Sequence, residues 1–230
     1  MTEFTARTLG QIGCDAWTPG ERELLHGPDK LKQLASDFGT PVVAANIKAG
    51  GKRLFADRLI KKSGGVTVGI TAVMGPEVLL DGKGISPAGA EQAKNFEVTD
   101  PIRTLKPIVA DLQKKCDVVV VMAHMASPEA RHLVEEVPGI DVLVVGHVPG
   151  AGYDGERVGD TWVLRTGQRG QLVSFLKMTV AGGAITEAKG IFEELGPTMP
   201  HDADLQTKTA LFDSQIKSLR DKVGPRAPTR

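Results

Sequence analysis

The chain has 230 residues and a mass of 24.4 kDa, enough for one domain with a short appendage. Hydrophobic residues at 41% and charged residues at 24% are ordinary for a folded protein and exclude a wholly disordered chain. Twenty-eight basic residues balance 28 acidic ones, and aromatics are only 4%. That balance argues against a basic nucleic-acid or anionic-membrane binder and against a base-stacking single-strand binder.

Four short runs rich in Val and Ile stand out: residues 41–47 (PVVAANI), 66–73 (VTVGITAV), 117–123 (DVVVVMA) and 140–145 (IDVLVV). Continuous hydrophobicity of this kind predicts strands buried on both faces of a parallel sheet. Helices are expected between them. Residues 27–38 carry Leu31, Leu34 and Phe38 at helical spacing. Residues 101–116 carry Ile102, Leu105, Ile108, Val109 and Leu112, with Pro107 implying a bend or a late start. Residues 127–137 open with Ser127 as the expected N-cap and Pro128 as the first helical position.

Strands alternating with helices predict an α/β fold. Beyond Pro149 the pattern changes. Residues 161–166 and 172–181 alternate in polarity and are joined by GQRG, which predicts an antiparallel hairpin; AGGA at 181–184 offers a second turn before a strand at 185–193. Residues 202–223 predict an amphipathic helix through Leu205, Leu211, Ile216 and Leu219, followed by a loose GPRAPTR tail. The expected division is 1–197 for the α/β unit and 198–230 for the terminal helix and tail.

Cys14 and Cys116 lie too far apart in sequence for a zinc motif or a disulfide framework, and Cys116 reads as small core filler. No run reaches the ~18–20 apolar residues of a membrane span, and the N-terminus lacks a charged-then-apolar export pattern. If Met1 is the true start, the chain is expected to be cytoplasmic. Lys83 is followed by Gly84 rather than Ser or Thr, so Gly82-Lys83 is no phosphate-binding loop. There is no GxGxxG after a strand, no GxSxG and no HExxH.

What remains is two histidines placed alike. His124 follows one expected strand and His147 the next. In an open parallel sheet, ligand-binding groups gather outside the carboxyl ends of strands, so the two could converge on one metal or one phosphate. Position alone is equally compatible with two solvated loop histidines. Gly20-Glu21-Arg22-Glu23 sits at a loop-to-helix junction that could aim Glu21 at the same face. It also reads as an acidic first helical turn favoured by the helix dipole.

The order of these motifs resembles the calcineurin-like metallophosphoesterases, in the 5'-nucleotidase and UDP-sugar hydrolase branch. Cys14-Asp15-Ala16, Gly20 to Glu23, Gly27, Leu31 and Ala45-Asn46-Ile47 fall where that family has its GNHE loop and the ANi segment. Val68-Gly69-Ile70, then Asp117 through His124, then Ile140-Asp141 through Gly146-His147 follow in family order. The match covers about residues 9 to 195 and implies a layered metallophosphoesterase-like sandwich, its sheet largely parallel with an antiparallel hairpin. It implies a metal-dependent hydrolase of small-molecule phosphate esters, without nucleic-acid partners, in the periplasm or outside the cell.

The resemblance also carries departures. Glu21 stands where the family has a ligand Asn, Arg22 where it has the phosphate-contacting His, and Pro149 where it has the second His of GHxH. One half-site is expected to survive, with Glu21, His124 and His147 holding a single weakly bound Zn²⁺, Mn²⁺ or Fe²⁺. Their Cβ atoms would then lie within about 10 Å of one another. Arg22 is the expected catalytic phosphate contact and Asn46 the expected substrate-binding residue. The family's first two metal motifs and first strands precede the GNHE loop and are expected upstream of Met1. GERE resembles a divergent subgroup containing selenoproteins, in which an upstream selenocysteine codon read as a stop displaces the apparent start. A chain so shortened is expected to dimerise or aggregate and to be inactive or incomplete alone. The alternative is a non-catalytic binding or redox-partner module on the same fold.

Overall fold

The computed structural model describes residues 2–37, 39–80, 90–91, 93–147, 155–165 and 170–223. Three helices come first: α1 (Thr2–Ile12), the single turn α2 (Glu21–Leu24) and α3 (Pro28–Asp37). Then follow β1 (Ile47–Ala49), β2 (Lys52–Arg53), β3 (Arg58–Ser63), β4 (Val66–Met74), the short helix α4 (Glu77–Leu80) and β5 (Phe96–Val98). The βαβ core comprises α5 (Pro101–Leu112), β6 (Val118–His124), α6 (Ser127–Glu136) and β7 (Val142–Gly146). The chain continues with β8 (Glu156–Val158), β9 (Thr161–Arg165), β10 (Leu172–Ala181), β11 (Ala184–Glu194) and α7 (Ala203–Val223).

The main sheet has six strands in the order β3-β4-β6-β7-β9-β8. Its four central strands are parallel, and both edge strands run antiparallel to their neighbours. The α/β prediction and the parallel core therefore hold. Strand entry is fixed by a repeated device. Asp117 Oδ2 accepts from the Thr67 amide at 2.7 Å, and Asp141 Oδ2 accepts from the Val119 amide at 2.7 Å. Each Asp also donates its own amide to the carbonyl of that same residue. A one-residue slip would break both bonds at once, so the aspartates pin the register that the uniform Val runs leave ambiguous.

Alternation along the strands sends Val73, Val119, Val121, Leu143 and Val145 to one face. There they pack with Leu105, Ile108, Val109 and Leu112 of α5 and Leu133 and Val134 of α6. Met74 faces the other way, into a second cluster with Leu24, Leu31, Ala44, Ile47 and Phe96. The expectation of full burial on both faces is corrected here. Val120, Met122 and Val144 are only half-buried, because the second layer covers the β4 end of the sheet more fully than its centre.

Other expectations shift for identifiable reasons. Of residues 41–47 only Ile47 enters a strand, as the start of β1; residues 42–46 are buried, but Val42 and Val43 make only single bridges, to Trp17 and Ala56. Apolarity there records burial, not ladder pairing. α5 starts at Pro101 without delay, because the Asp100 side chain accepts from the Arg103 amide and Pro107 sits inside the helix. The cap of α6 is Ala126, not Ser127, with no side-chain cap bond of its own. Its amide instead donates to Glu77 Oε1 at 3.2 Å. β9 does not pair with β10. It joins the main sheet beside β7 and β8, while β10 and β11 form a separate two-stranded ladder closed by the AGGA turn. Residues 167–169 of the GQRG turn, Pro149, the Gly82-Lys83 pair and the GPRAPTR tail lie outside the described residues, as does Phe38.

Cys116 packs at the margin of the main core, as its apolar setting predicted, and burial raises its thiol pKa. α7 follows Asp202, whose carboxylate accepts from the Leu205 amide, and lies against α1 through a stacked Phe4–Phe212 pair at 4.5 Å. No helix among the described residues is long and apolar enough to cross a membrane.

Candidate metal centre

β6 and β7 are adjacent and in register, with His124 opposite Gly146. His124 ends β6, and His147 immediately follows β7, so the parallel ladder delivers both histidines to one edge. Their rings meet edge-on with centroids 5.1 Å apart. The third member comes from the other side of the sequence. The loop before α2 lifts Glu21 to that edge, where Glu21 Oε2 shares a 2.6 Å hydrogen bond with His124 Nε2 and lies 3.5 Å from His147 Nδ1. One ligand atom from each of the three residues falls within 4.8 Å of the other two. Among the described residues this is the only group of three or more His, Cys, Asp or Glu side chains so arranged.

The donor set suits a metal. Two imidazole nitrogens and one carboxylate form a two-His-one-carboxylate face, a combination used by Zn²⁺ and by non-haem Fe²⁺. Bonds of ~2.0–2.1 Å around a tetrahedral ion place ligand atoms roughly 3.4 Å apart. The observed spread brackets that value: the Glu21–His124 contact must open and the widest pair must close. The side chains are 17%, 18% and 29% exposed for Glu21, His124 and His147, so the site is shielded yet reachable. The His124 hydrogen bond holds the Glu21 carboxyl down at about 2, against the opposing effect of burial, so Glu21 is ionised and ready to act as a ligand.

The backbone is shaped around this cluster. His147 has φ +62°, the one described residue other than glycine in that region. Such a conformation costs a non-glycine residue on the order of 1–2 kcal/mol and persists where surrounding structure enforces it. Gly20 is extended, at φ −96° and ψ −177°, and its amide donates to Glu23 Oε2 at 2.9 Å. That bond ties the N-cap to the single turn of α2 that carries Glu21.

The other expected site residues fall differently. Arg22 is 83% exposed, its Nε 3.9 Å from Glu21 Oε1, so it stands beside the cluster and not within it. Asn46, expected at the substrate, is instead fully buried. Its Nδ2 donates to the carbonyls of Met74 and Thr99 at 2.7 Å each, and its Oδ1 accepts from the Met74 amide at 2.9 Å. With both amide protons and the carbonyl oxygen engaged by backbone, Asn46 clasps the end of β4. The next residue, Gly75, donates its amide to the His124 carbonyl. Glu77 contributes on the same rim by accepting from Ala126, two residues beyond His124. Sequence reasoning named Gly20, Glu23 and Gly146 within their motifs but gave them no role, and it passed over Glu77; the glycines directly preceding Glu21 and His147 were the available signal.

No family model matches this sequence, and no curated protein matches it. Solved structures do. A sulfate thiohydrolase, SoxB, from Thermus thermophilus superposes with a TM-score of 0.79 at 19% identity, over 94% of this chain and 39% of that one. A 5'-nucleotidase precursor from the same organism gives 0.79 at 23%, over 94% and 46%. The calcineurin-like phosphoesterase YfkN from Bacillus subtilis gives 0.68 at 20%, over 93% and 72%. The chain thus spans less than half the length of the thiohydrolase and the nucleotidase. These likenesses join the strand order and the strand-end histidines in one conclusion: the chain has the calcineurin-like metallophosphoesterase fold, in the form found in 5'-nucleotidases.

Proposed function

We propose that this chain carries a metal-binding half-site of a phosphoric-ester hydrolase of the 5'-nucleotidase type. The observation that carries the reading is the convergence of Glu21 Oε2, His124 Nε2 and His147 Nδ1 at the carboxyl ends of adjacent parallel strands. A divalent ion held there would supply Lewis acidity toward a phosphoryl oxygen. Glu21 and the two histidines would bind and orient it. Arg22 is free to swing on its exposed stem and neutralise a phosphate at the rim as a planar, bidentate donor.

Turnover by the 230-residue chain alone is proposed to be negligible. Two-metal hydrolysis clamps both the attacking and the leaving oxygens, and the described residues offer one triad. Losing a single well-placed electrostatic contact typically costs ~10²–10³ in rate. Imidazole donors suit Zn²⁺ or Fe²⁺ and the carboxylate admits Mn²⁺. The second reading, a binding module on the same fold, is favoured by Asn46 being spent on backbone, which removes one expected substrate contact.

The test is a calorimetric titration of the whole chain with Zn²⁺ and Mn²⁺, beside assays on nucleotides and p-nitrophenyl phosphate. One ion per chain, lost in His124→Ala and in His147→Ala, with little hydrolysis, is the expected result. Robust Mn²⁺-dependent hydrolysis that disappears in His147→Ala would overturn the proposed inactivity. Absence of metal binding would overturn the half-site itself.

A further inference from the structure

His124 is held between two glycines from different parts of the chain, and neither glycine is required by its own backbone. Gly20 is extended, a conformation open to any residue. Gly146 lies within β7, opposite His124 in the ladder, and is absent from the positive-φ glycines. Yet a Cβ at Gly20 would sit 2.8 Å from His124 Cε1 and 3.0 Å from Nε2. A Cβ at Gly146 would sit 3.1 Å from His124 Nδ1. The first distance is closer than carbon atoms pack, and the second requires the ring to yield by a few tenths of an ångström.

The two missing side chains therefore leave a slot for the Nδ1–Cε1–Nε2 side of the His124 ring. Gly20 backs the Cε1–Nε2 edge, and Gly146 backs Nδ1. Held there, the ring turns Nε2 toward Glu21, whose Oε2 lies 2.6 Å away. The slot is also coupled to the carboxylate: Glu23 Oε2, which holds the Gly20 amide, would lie 3.2 Å from the same added Cβ.

We propose that Gly20 and Gly146 are positioning residues that lock His124 with Nε2, not Nδ1, as its metal-binding nitrogen. This rests on the metal reading of the triad, and it adds a claim about two residues that touch no ligand themselves. Partners that orient a metal-binding imidazole typically change affinity 10–100-fold when altered. Gly20→Ala should weaken Zn²⁺ or Mn²⁺ binding within that range, and Gly146→Ala by roughly 10-fold or less. Gly196→Ala is the control. A Cβ there would meet nothing nearer than Thr198 Oγ1 at 4.0 Å, and its affinity should stay at the wild-type value.

Two measurements on the full chain separate the slot from the metal. Affinity is read by titration with Zn²⁺ and with Mn²⁺. Ring placement is read in metal-free protein from the NMR signal of the His124 Cε1–H, with the His132 and His201 signals as internal references. The expected result is weakened affinity together with a displaced His124 signal in Gly20→Ala, a smaller change of the same kind in Gly146→Ala, and neither in Gly196→Ala. A displaced His124 signal in a wild-type background that binds no metal would uphold the slot and refute the metal. A folded Gly20→Ala with wild-type affinity and an unmoved His124 signal would overturn the proposal. If Gly20→Ala fails to fold, Gly146→Ala decides it by the same two readings.

Discussion

Asn46→Ala is the most informative single change in this molecule, because it separates a structural amide from a ligand-binding one. The substitution removes two donors and one acceptor from a fully buried position, depriving the carbonyls of Met74 and Thr99 and the Met74 amide of these partners. A buried backbone group left unsatisfied costs about 1–3 kcal/mol, and small rearrangements recover part of that. Three such groups give a loss of about 3–5 kcal/mol, a large share of the ~5–15 kcal/mol that stabilises a typical protein. With a urea slope of roughly 2–3 kcal/mol per molar, the unfolding midpoint should fall by about 1–2.5 M. Trp17 and Trp162 provide the fluorescence signal. Asn46→Asp should fare no better, since it keeps the acceptor for Met74 but sets a carboxylate against two carbonyls. The reasoning fails if Asn46→Ala unfolds within about 1 kcal/mol of wild type. It fails more sharply if that variant is stable but loses affinity for a phosphate ester, which would return Asn46 to the substrate.

Three further outcomes follow from the same geometry. The Glu21 carboxyl, held at about 2 against an ordinary 4.5, contributes stability that is fully present above pH ~4.5 and is lost as pH falls toward 2. In metal-free protein the stability gap between wild type and Glu21→Gln should therefore shrink between pH 6 and pH 2.5 in paired urea melts; a constant gap refutes the assignment. Asp141 behaves in the opposite sense, because burial raises its carboxyl, so ionisation opposes folding as pH rises through that value. Asp141→Asn can keep an acceptor for Val119 while removing the charge, and should match or exceed wild-type stability at pH 7 by up to ~1 kcal/mol. A loss beyond ~1 kcal/mol in a thermal melt would contradict this. His147→Gly should relieve the positive φ and leave the melting temperature unchanged or higher, while abolishing metal binding; a strongly destabilised variant would show that the ring, not the backbone, matters to folding there.

How much of this was readable beforehand depends on what each residue had to say locally. The strands at 66–73, 117–123 and 140–145 announced themselves, because an unbroken Val run has few other homes than the middle of a parallel sheet. His124 and His147 were legible for the same reason: they end such runs, and a parallel ladder puts both ends on one edge. β3 was not, since RLIKKS at a sheet edge carries the charges that keep an edge from pairing further and so resembles a loop. Residues 42–46 misled in the other direction, being buried by tertiary contacts without a ladder. Asn46 shows the deeper limit. A sequence displays an amide but not the direction in which it points, and three backbone partners drawn from residues 28 and 53 positions away decide its role. The slot around His124 was hidden likewise, because a glycine that is needed for what a neighbour does leaves no mark on its own conformation.

The β10–β11 ladder carries a consequence for how the molecule comes apart. Among the described residues it is the longest ladder, yet Phe175 and Phe192 remain 44% and 41% exposed, and a Ser174 hydroxyl donating to the Arg165 carbonyl ties it to the main sheet. A two-stranded ladder without a third layer is marginal in water, however many bonds it contains. Its amides should exchange with solvent at a free energy well below that of global unfolding, while those of β4, β6 and β7 exchange only when the whole sheet opens. The strand ends that carry His124 and His147 belong to the second group. The Glu21, His124 and His147 triad would keep its geometry through excursions that open the β10–β11 ladder, so the candidate site and the breathing segment lie in different parts of one fold.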